Sequence, residues 1–254
     1  MIEVDSVYKQ FEGQTVLNSI SALFDNGRTN LIIGKSGAGK TVLMKCIVGL
    51  LIPERGKVLY DGRDTLQMGK KEKLLLRREI GMLFQNAALF DSMSVLENVM
   101  FPLDMFSSMT YNERLKRARL CLERVNLAEA QDKGPEELSG GMQKRAAIAR
   151  AIAMGPKYLF CDEPNSGLDP QTSLIIDELI HGITEEYSIT TIVNTHDMNS
   201  VMNIGDHIIF LAGGELCWEG SNKEILNTDN RILNDFLFSS EILRQVKEQA
   251  TRNI

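Results

Sequence analysis

Eight consecutive residues, Gly34-Lys35-Ser36-Gly37-Ala38-Gly39-Lys40-Thr41, have the spacing G-x-x-x-x-G-K-[ST]. Glycines at these places let successive backbone N–H groups turn inward around phosphate oxygens, and a helix starting behind them adds its positive end. Lys40 then reaches the terminal phosphates and Thr41 a magnesium ion. The pattern arises by accident in roughly one chain in a hundred of this length. Here an apolar run at 29–33 precedes it and a helix-period segment at about 39–51 follows. A triphosphate also needs a metal and, for cleavage, an activated water. Tyr158-Leu159-Phe160-Cys161-Asp162-Glu163 is an apolar run ending in two carboxylates. Asp162 is placed to hold Mg²⁺ and Glu163 to polarise water as a general base, the alternative being two solvated acids at a strand end. Leu138-Ser139-Gly140-Gly141-Met142 leads into a helical run, so Ser139 and two glycines lie at a helix N-terminus and form a second anion site.

These residues need a scaffold, and the hydrophobic pattern supplies one. Alternation at 2–7 and 16–24 predicts a short antiparallel sheet. Apolar runs at 29–33, 80–84, 157–161 and 189–194 predict buried parallel strands, and 56–62 a hairpin strand. From 94 to about 153 the text reads as helical throughout, with capping-box spacing at Ser94/Glu97 and Thr110/Glu113. A further helix begins at Asp169-Pro170, an N-cap followed by proline. The expected class is α/β, with helices on both faces of a mainly parallel sheet.

Composition narrows the partners. The chain has 254 residues with 43% hydrophobic content, enough for a buried core and against global disorder. With 28 Lys plus Arg against 34 Asp plus Glu the net charge is −6, so nucleic acid is not an expected partner. Four scattered cysteines, without a C-x-x-C pair, suit a reducing cytoplasm. Glu3 and Asp5 stand where a signal peptide needs a basic start. The longest nearly apolar stretch, 42–52, contains Lys45 and is about half the ~20 residues of a spanning helix. Any work at a membrane is expected to go through a partner. Lys70-Lys71-Glu72-Lys73 and Arg77-Arg78 read as solvated helix faces, and His181 and His207 as structural.

The 34–41 loop, the Leu138–Gly141 signature, the acidic strand end and a later His196 together resemble the ATP-binding subunit of ABC transporters, over nearly the whole chain. The resemblance implies a P-loop NTPase core with an N-terminal antiparallel β-subdomain and an inserted α-helical subdomain at about 86–155. With no internal repeat or linker-like stretch, 1–254 reads as one domain with a helical tail at about 230–254, where Leu233, Phe236, Leu237, Leu243 and Val246 fall near helical spacing to clasp either a second copy or the chain's own domain. The resemblance further implies ATP and Mg²⁺ as cofactors and a head-to-tail homodimer, each ATP lying between one copy's loop and the other's Ser139, Gly140 and Gly141. Gln85 resembles the glutamine that senses magnesium and water, which adds it to Thr41 and Asp162 on the metal side. Lys40, Gln85, Glu163 and His196 make up the catalytic set, with His196 on the terminal phosphate. Ser166-Gly167-Leu168-Asp169 resembles the loop crossing the dimer interface. Phe11 resembles the aromatic that stacks on adenine, with Tyr8 as competitor, and either residue can also pack under the first sheet.

More narrowly, 81–99 with Phe101-Pro102-Leu103 is similar to the ATPases of bacterial phospholipid-trafficking systems, the maintenance-of-lipid-asymmetry group that works with mammalian-cell-entry (MCE) domain proteins. This implies integral-membrane permease subunits, an MCE-domain substrate-binding protein and a peripheral place on the cytoplasmic face of the inner membrane. The Met- and Phe-rich stretch at 90–93 and 100–109 either lines a groove for a cytoplasmic helix of the permease or forms the insertion's own core. Asn165 departs from the threonine or phenylalanine expected before Ser166. Two other classes remain: a soluble ABC ATPase of assembly or repair type, and a nucleotide-gated binding module without turnover. The intact Lys40, Asp162, Glu163 and His196 speak against the latter.

Overall fold

The protein is described by a computed structural model covering residues 1–237. Its first half contains β1 (Ile2–Phe11), β2 (Gln14–Phe24), β3 (Thr29–Ile33), α1 (Lys40–Val48), β4 (Arg55–Tyr60), β5 (Arg63–Asp64), α2 (Lys70–Arg78) and β6 (Ile80–Leu83). Three helices follow, α3 (Val95–Phe106), α4 (Tyr111–Arg124) and α5 (Gly140–Ile152). Then come β7 (Tyr158–Asp162), α6 (Pro170–Tyr187), β8 (Thr190–Thr195), α7 (Met198–Ile204), β9 (His207–Ala212), β10 (Glu215–Gly220) and α8 (Arg231–Leu237).

Two sheets result, an antiparallel one in the order β2-β1-β4-β5 and a six-stranded one in the order β10-β9-β3-β8-β7-β6. The second is parallel from β9 to β6, with β10 antiparallel on its edge. Every residue of β3 and β8 is buried, as strands covered on both faces must be. Successive side chains point to opposite faces, and the core divides accordingly. Leu31, Ile33, Leu159, Cys161 and Val193 pack against α5, α6 and the inserted helices. Ile32, Tyr158, Phe160 and Ile192 pack with Leu43, Met44, Val4, Leu17 and Phe24 from α1 and the antiparallel sheet.

Both capping boxes form. The Ser94 N–H donates to Glu97 Oε2 at 2.7 Å and the Glu97 N–H returns to Ser94 Oγ at 3.2 Å. The Thr110 N–H donates to Glu113 Oε2 at 2.7 Å. The stretch 94–153 is not helical throughout, however. It is interrupted between Phe106 and Tyr111, and again after Arg124, where Asn126 takes a positive φ (54°) and short 3-10 turns at Ala128–Ala130 and Pro135–Glu137 carry the chain on to α5. The first helix stops at Val48 rather than 51, since Gly49 takes the left-handed conformation (φ 81°) and caps it. Phe84 and Ile189 fall just outside the strands expected to hold them. In the expected tail Leu233 and Leu237 are buried and Phe236 stacks on Phe210 at 5.3 Å, while Leu243 and Val246 lie outside the described residues.

One position shows how closely the inserted helices are seated. A Cβ on Gly81 of β6 would stand 2.4 Å from the Ala151 carbonyl oxygen at the end of α5. Gly81→Ala is expected to cost ~1–3 kcal/mol by forcing strand and helix apart. Chemical denaturation of the purified chain measures this; an unchanged midpoint would mean that the two elements move apart freely.

Candidate nucleotide-binding site

The register of the parallel strands creates the site. Ile33 pairs with Thr195, and Asp162 with Asn194, so β3, β7 and β8 end level with one another. The loop after β3, the two acids after β7 and the segment after β8 therefore share one rim, where open α/β sheets bind ligands.

The 34–41 loop is held by close backbone approaches. A Cβ on Gly34 (φ 151°) would lie 2.3 Å from the Leu211 carbonyl oxygen of β9. One on Gly39 (φ 101°) would lie 2.8 Å from Leu17 of β2. These two positions tolerate nothing larger than glycine. Lys35, Ser36 and Gly37 form the exposed lip, and Ala38 is buried beneath it. Lys40 is 7% exposed; its ammonium donates to the Gly34 carbonyl at 2.9 Å and lies 3.7 Å from Glu163 Oε1.

Asp162 Oδ1 accepts from Thr41 Oγ1 at 3.3 Å and from Asn194 Nδ2 at 2.9 Å. A hydroxyl and a carboxylate side by side make a hard-oxygen donor pair of the kind Mg²⁺ takes. Among the described residues there is no group of three or more His, Cys, Asp or Glu suited to a metal. A magnesium ion held by Thr41 and Asp162 would draw its remaining ligands from phosphate and water, which is its habit in nucleotide sites. Asn194 was not anticipated; its Oδ1 is buried without a partner among the described residues.

Glu163 stands on a sharp bend with φ 49°, a conformation a non-glycine residue adopts at a cost of ~1–3 kcal/mol. Its own N–H donates to the Asn194 carbonyl at 3.0 Å, which fixes the bend to β8. Its carboxylate, 15% exposed, lies 2.7 Å from His196 Nδ1 through Oε2. His196 is open to solvent. The structure brings Lys40, Glu163 and His196 together and sets Thr41 on Asp162.

Gln85 is exposed, and its Nε2 donates to Ser166 Oγ at 3.3 Å. Behind it lies a residue that sequence reading missed. Lys144 of α5 is 5% exposed; its ammonium donates to the Gln85 carbonyl and lies 3.4 Å from the Glu163 carbonyl. Burial lowers its pKa. The signal was available: 144 lies on the same helical stripe as the buried Gly141 and Ile148. Further along α5, Arg150 donates to the carbonyls of Ala87 and Ala88 at 2.8 and 2.7 Å, both alanines having positive φ.

Ser139 caps α5, its Oγ accepting from the Met142 N–H at 3.4 Å. Ser139 and Gly140 are exposed, while Gly141 is buried so closely on Thr172 that a Cβ would lie 2.5 Å from its methyl. The contacts of this turn are with Leu168 and Thr172, whereas those of the 34–41 loop are with Asp162, Glu163, Leu17 and Leu211. The 34–41 loop and the Ser139 turn are thus seated on different parts of the chain. Phe11 is 42% exposed at the β1–β2 hairpin, with the Lys9 ammonium 5.1 Å from its ring centre. Tyr8 is engaged: its hydroxyl lies 2.8 Å from Thr15 Oγ1 and Arg55 covers its ring. His181 lies on Thr29 Oγ1 and His207 between Asn30 and Glu219.

Comparison with known proteins agrees with this geometry. Residues 17–166 match the family described as "ABC transporter". The chain is 35% identical over 237 residues to the "Intermembrane phospholipid transport system ATP-binding protein MlaF" of Haemophilus influenzae, covering 93% of this chain and 90% of that one. It is 37% identical over 234 residues to the "Methionine import ATP-binding protein MetN" of Clostridium acetobutylicum, covering 92% and 71%. A solved structure, the dimeric post-hydrolysis state of the ATP-binding cassette MJ0796 bound to ADP and Pi, matches with a TM-score of 0.79 and 34% identity over 87% of this chain and 99% of that one.

Replacing the buried cation tests the connection between α5 and the rim. Lys144→Met leaves the Gln85 and Glu163 carbonyls without their donor and is expected to cost ~1–3 kcal/mol in chemical denaturation. It should also slow ATP hydrolysis measured by phosphate release. A variant as stable and as fast as the parent would show that the link does no more than fill space.

Proposed function

The chain belongs to the ABC transporter family and is an ATP-binding, ATP-hydrolysing subunit of it, and from that premise we propose that it powers a phospholipid transporter from the cytoplasmic face of the inner membrane. The observation that carries the catalytic part of this reading is the meeting of Lys40, Glu163 and His196 on one rim.

Each residue has a role its surroundings suit. Lys40 rests among loop carbonyls and exchanges them for the terminal phosphates of ATP. Thr41 and Asp162 would hold Mg²⁺, which when bound would withdraw charge from the phosphates. Glu163 is the general base: the bend at φ 49° aims its carboxylate and His196 holds one oxygen. His196 also meets the terminal phosphate, and Gln85 sits at the edge of the insertion to sense metal and water. Phe11, exposed where Tyr8 is tied down, stacks on adenine. The 34–41 loop and the exposed turn at Ser139 and Gly140 serve different nucleotides, so two copies pair head to tail and each ATP is enclosed by both. The dimeric cassette that this chain resembles supports that arrangement.

Among the described residues no helix is long and apolar enough to cross a membrane, so coupling runs through permease subunits. The Met- and Phe-rich stretch divides. Val95, Val99, Met100 and Leu103 form the insertion's core, whereas Phe90, Met105, Phe106 and Met109 are exposed. The exposed half is the docking groove of this reading. Phospholipid cargo and an MCE-domain partner are supported by the 81–103 sequence and the phospholipid-transport relative; methionine importers are similarly close. Purification of the detergent-extracted complex decides between them: an MCE-domain partner and bound phospholipid support the proposal, and a methionine-binding partner overturns its cargo.

Glu163→Gln should keep ATP binding and lose hydrolysis by ~10²- to 10⁴-fold, as removal of a general base does. Undiminished phosphate release would remove Glu163 from that role. Lys40→Ala should weaken nucleotide binding itself in a titration. Met105→Asp, at a position 59% exposed, should strip the chain from its permease while nucleotide affinity stays unchanged. If both properties are lost together, the residue belongs to the insertion's core.

A further inference from the structure

Asn165, the residue that departs from the family's usual threonine or phenylalanine, lies two positions after Glu163 and is 8% exposed. Its Nδ2 donates to Asp177 Oδ1 at 2.8 Å and to Ser200 Oγ at 2.9 Å. Asp177 of α6 is 1% exposed and Ser200 of α7 is fully buried. One amide therefore joins three segments: the bend that aims Glu163, α6, and α7, whose N-cap Asp197 directly follows His196. It also lines a cleft of about 400 Å³ whose walls include Glu163, Ser166, Gly167 and His196.

The network is incomplete. Asn165 Oδ1 and Asp177 Oδ2 are each buried without a partner among the described residues, a situation folded proteins avoid. One proton on Asp177 Oδ2 converts an orphan acceptor into a donor, and Asn165 Oδ1 is an acceptor that lacks one. We propose that Asn165 and Asp177 form a buried acid–amide pair, and that through it Asn165 is a positioning residue that fixes the Glu163 bend against the helix following His196. The proposal rests on the reading of Glu163 as base and His196 as its partner.

The surroundings raise the Asp177 carboxyl, so that the protonated acid prevails below about pH 6. Burial pushes it up, the bonds from Asn165 and Ser200 pull it down, the charge of Asp197 at the cap of α7 raises it, and the balance stands at about 6. On β7 the neighbouring titratable group is Cys161, whose thiol burial holds in its neutral form. On α6 itself His181 stands one turn away, engaged by Thr29 and Glu185. The folded chain thus binds this proton more tightly than the unfolded chain. Its contribution to stability is fully present below the ordinary carboxylate range and is lost as pH rises through about 6.

The test uses purified full-length chain, with steady-state ATP hydrolysis and thermal melting followed across pH. Asn165→Asp places two carboxyls in one dry pocket; kcat should fall ~10- to 100-fold at neutral pH with KM nearly unchanged, and recover as pH falls. The double variant Asn165→Asp/Asp177→Asn exchanges the roles of the pair and should restore kcat to within about threefold. Asp177→Asn should lose the pH-dependent step in melting that the parent shows. A swap that folds but stays as slow as the single variant, a swap that fails to fold, or an Asp177→Asn chain that melts with the parent's pH dependence overturns the proposal. If Asn165→Asp itself does not fold, the swap decides alone. Glu163→Gln run alongside separates the two layers. If it still hydrolyses ATP, the reading of the base has failed; if it is inactive while Asn165→Asp runs at the parent rate, only the pair has failed.

Discussion

A nearly dry lysine facing a nearly dry glutamate, 3.7 Å apart at the rim of a parallel sheet, is the interaction around which this molecule is arranged. A buried ammonium is costly unless other groups replace its water, and here the Gly34 carbonyl and Glu163 do so. A nucleotide's phosphates can take over that duty, which ties ligand entry to the freedom of Glu163. Nothing in the immediate sequence of either residue brings them together. The register of β3, β7 and β8 does, by ending three strands at one level and setting the carboxylate of Asp162 on the hydroxyl of Thr41.

That rim is not isolated from the helices inserted between β6 and β7. α5 reaches it three times. Its first turn carries Ser139 and Gly140, Lys144 lies on the backbone of both Gln85 and Glu163, and Arg150 secures the strained Ala87 and Ala88 that follow Gln85. One helix therefore touches the segment leading to the exposed Phe90 and the bend that holds the carboxylate. A displacement on one side has a short, rigid, hydrogen-bonded route to the other. Buried cations suit this purpose because shifting them away from their carbonyls leaves those groups without partners.

Much of the site could be read without coordinates because phosphate chemistry restricts local sequence severely. Gly34 and Gly39 are required because a Cβ would stand 2.3 Å from the Leu211 carbonyl oxygen and 2.8 Å from the Leu17 side chain, and such requirements leave a fixed spacing in the text. The capping boxes at Ser94 and Thr110 and the proline after Asp169 were equally local. The reading failed where a local signal was weak or misleading. The 94–153 stretch has helical composition throughout, yet its helices stop at Phe106 and at Arg124, the second just before Asn126 at φ 54°, and β9 and β10 lie in a region to which the sequence reading assigns no strand.

Sequence alone determined the family and the residues offered for its chemistry: the glycine-rich 34–41 loop, the acid pair Asp162-Glu163 and the Ser139-Gly140-Gly141 turn, since each depends on residues a few positions apart. Tertiary structure decided what those groups face. Lys144, which was not singled out, is buried; Asn165 looked like a deviation and spans three elements; and Asp177 carried no signal at all. The physical reason is range. Backbone geometry and capping act within one turn or loop and so mark the text, whereas a buried hydrogen bond between residues 12 or 35 positions apart is specified only when the strands and helices between them have packed.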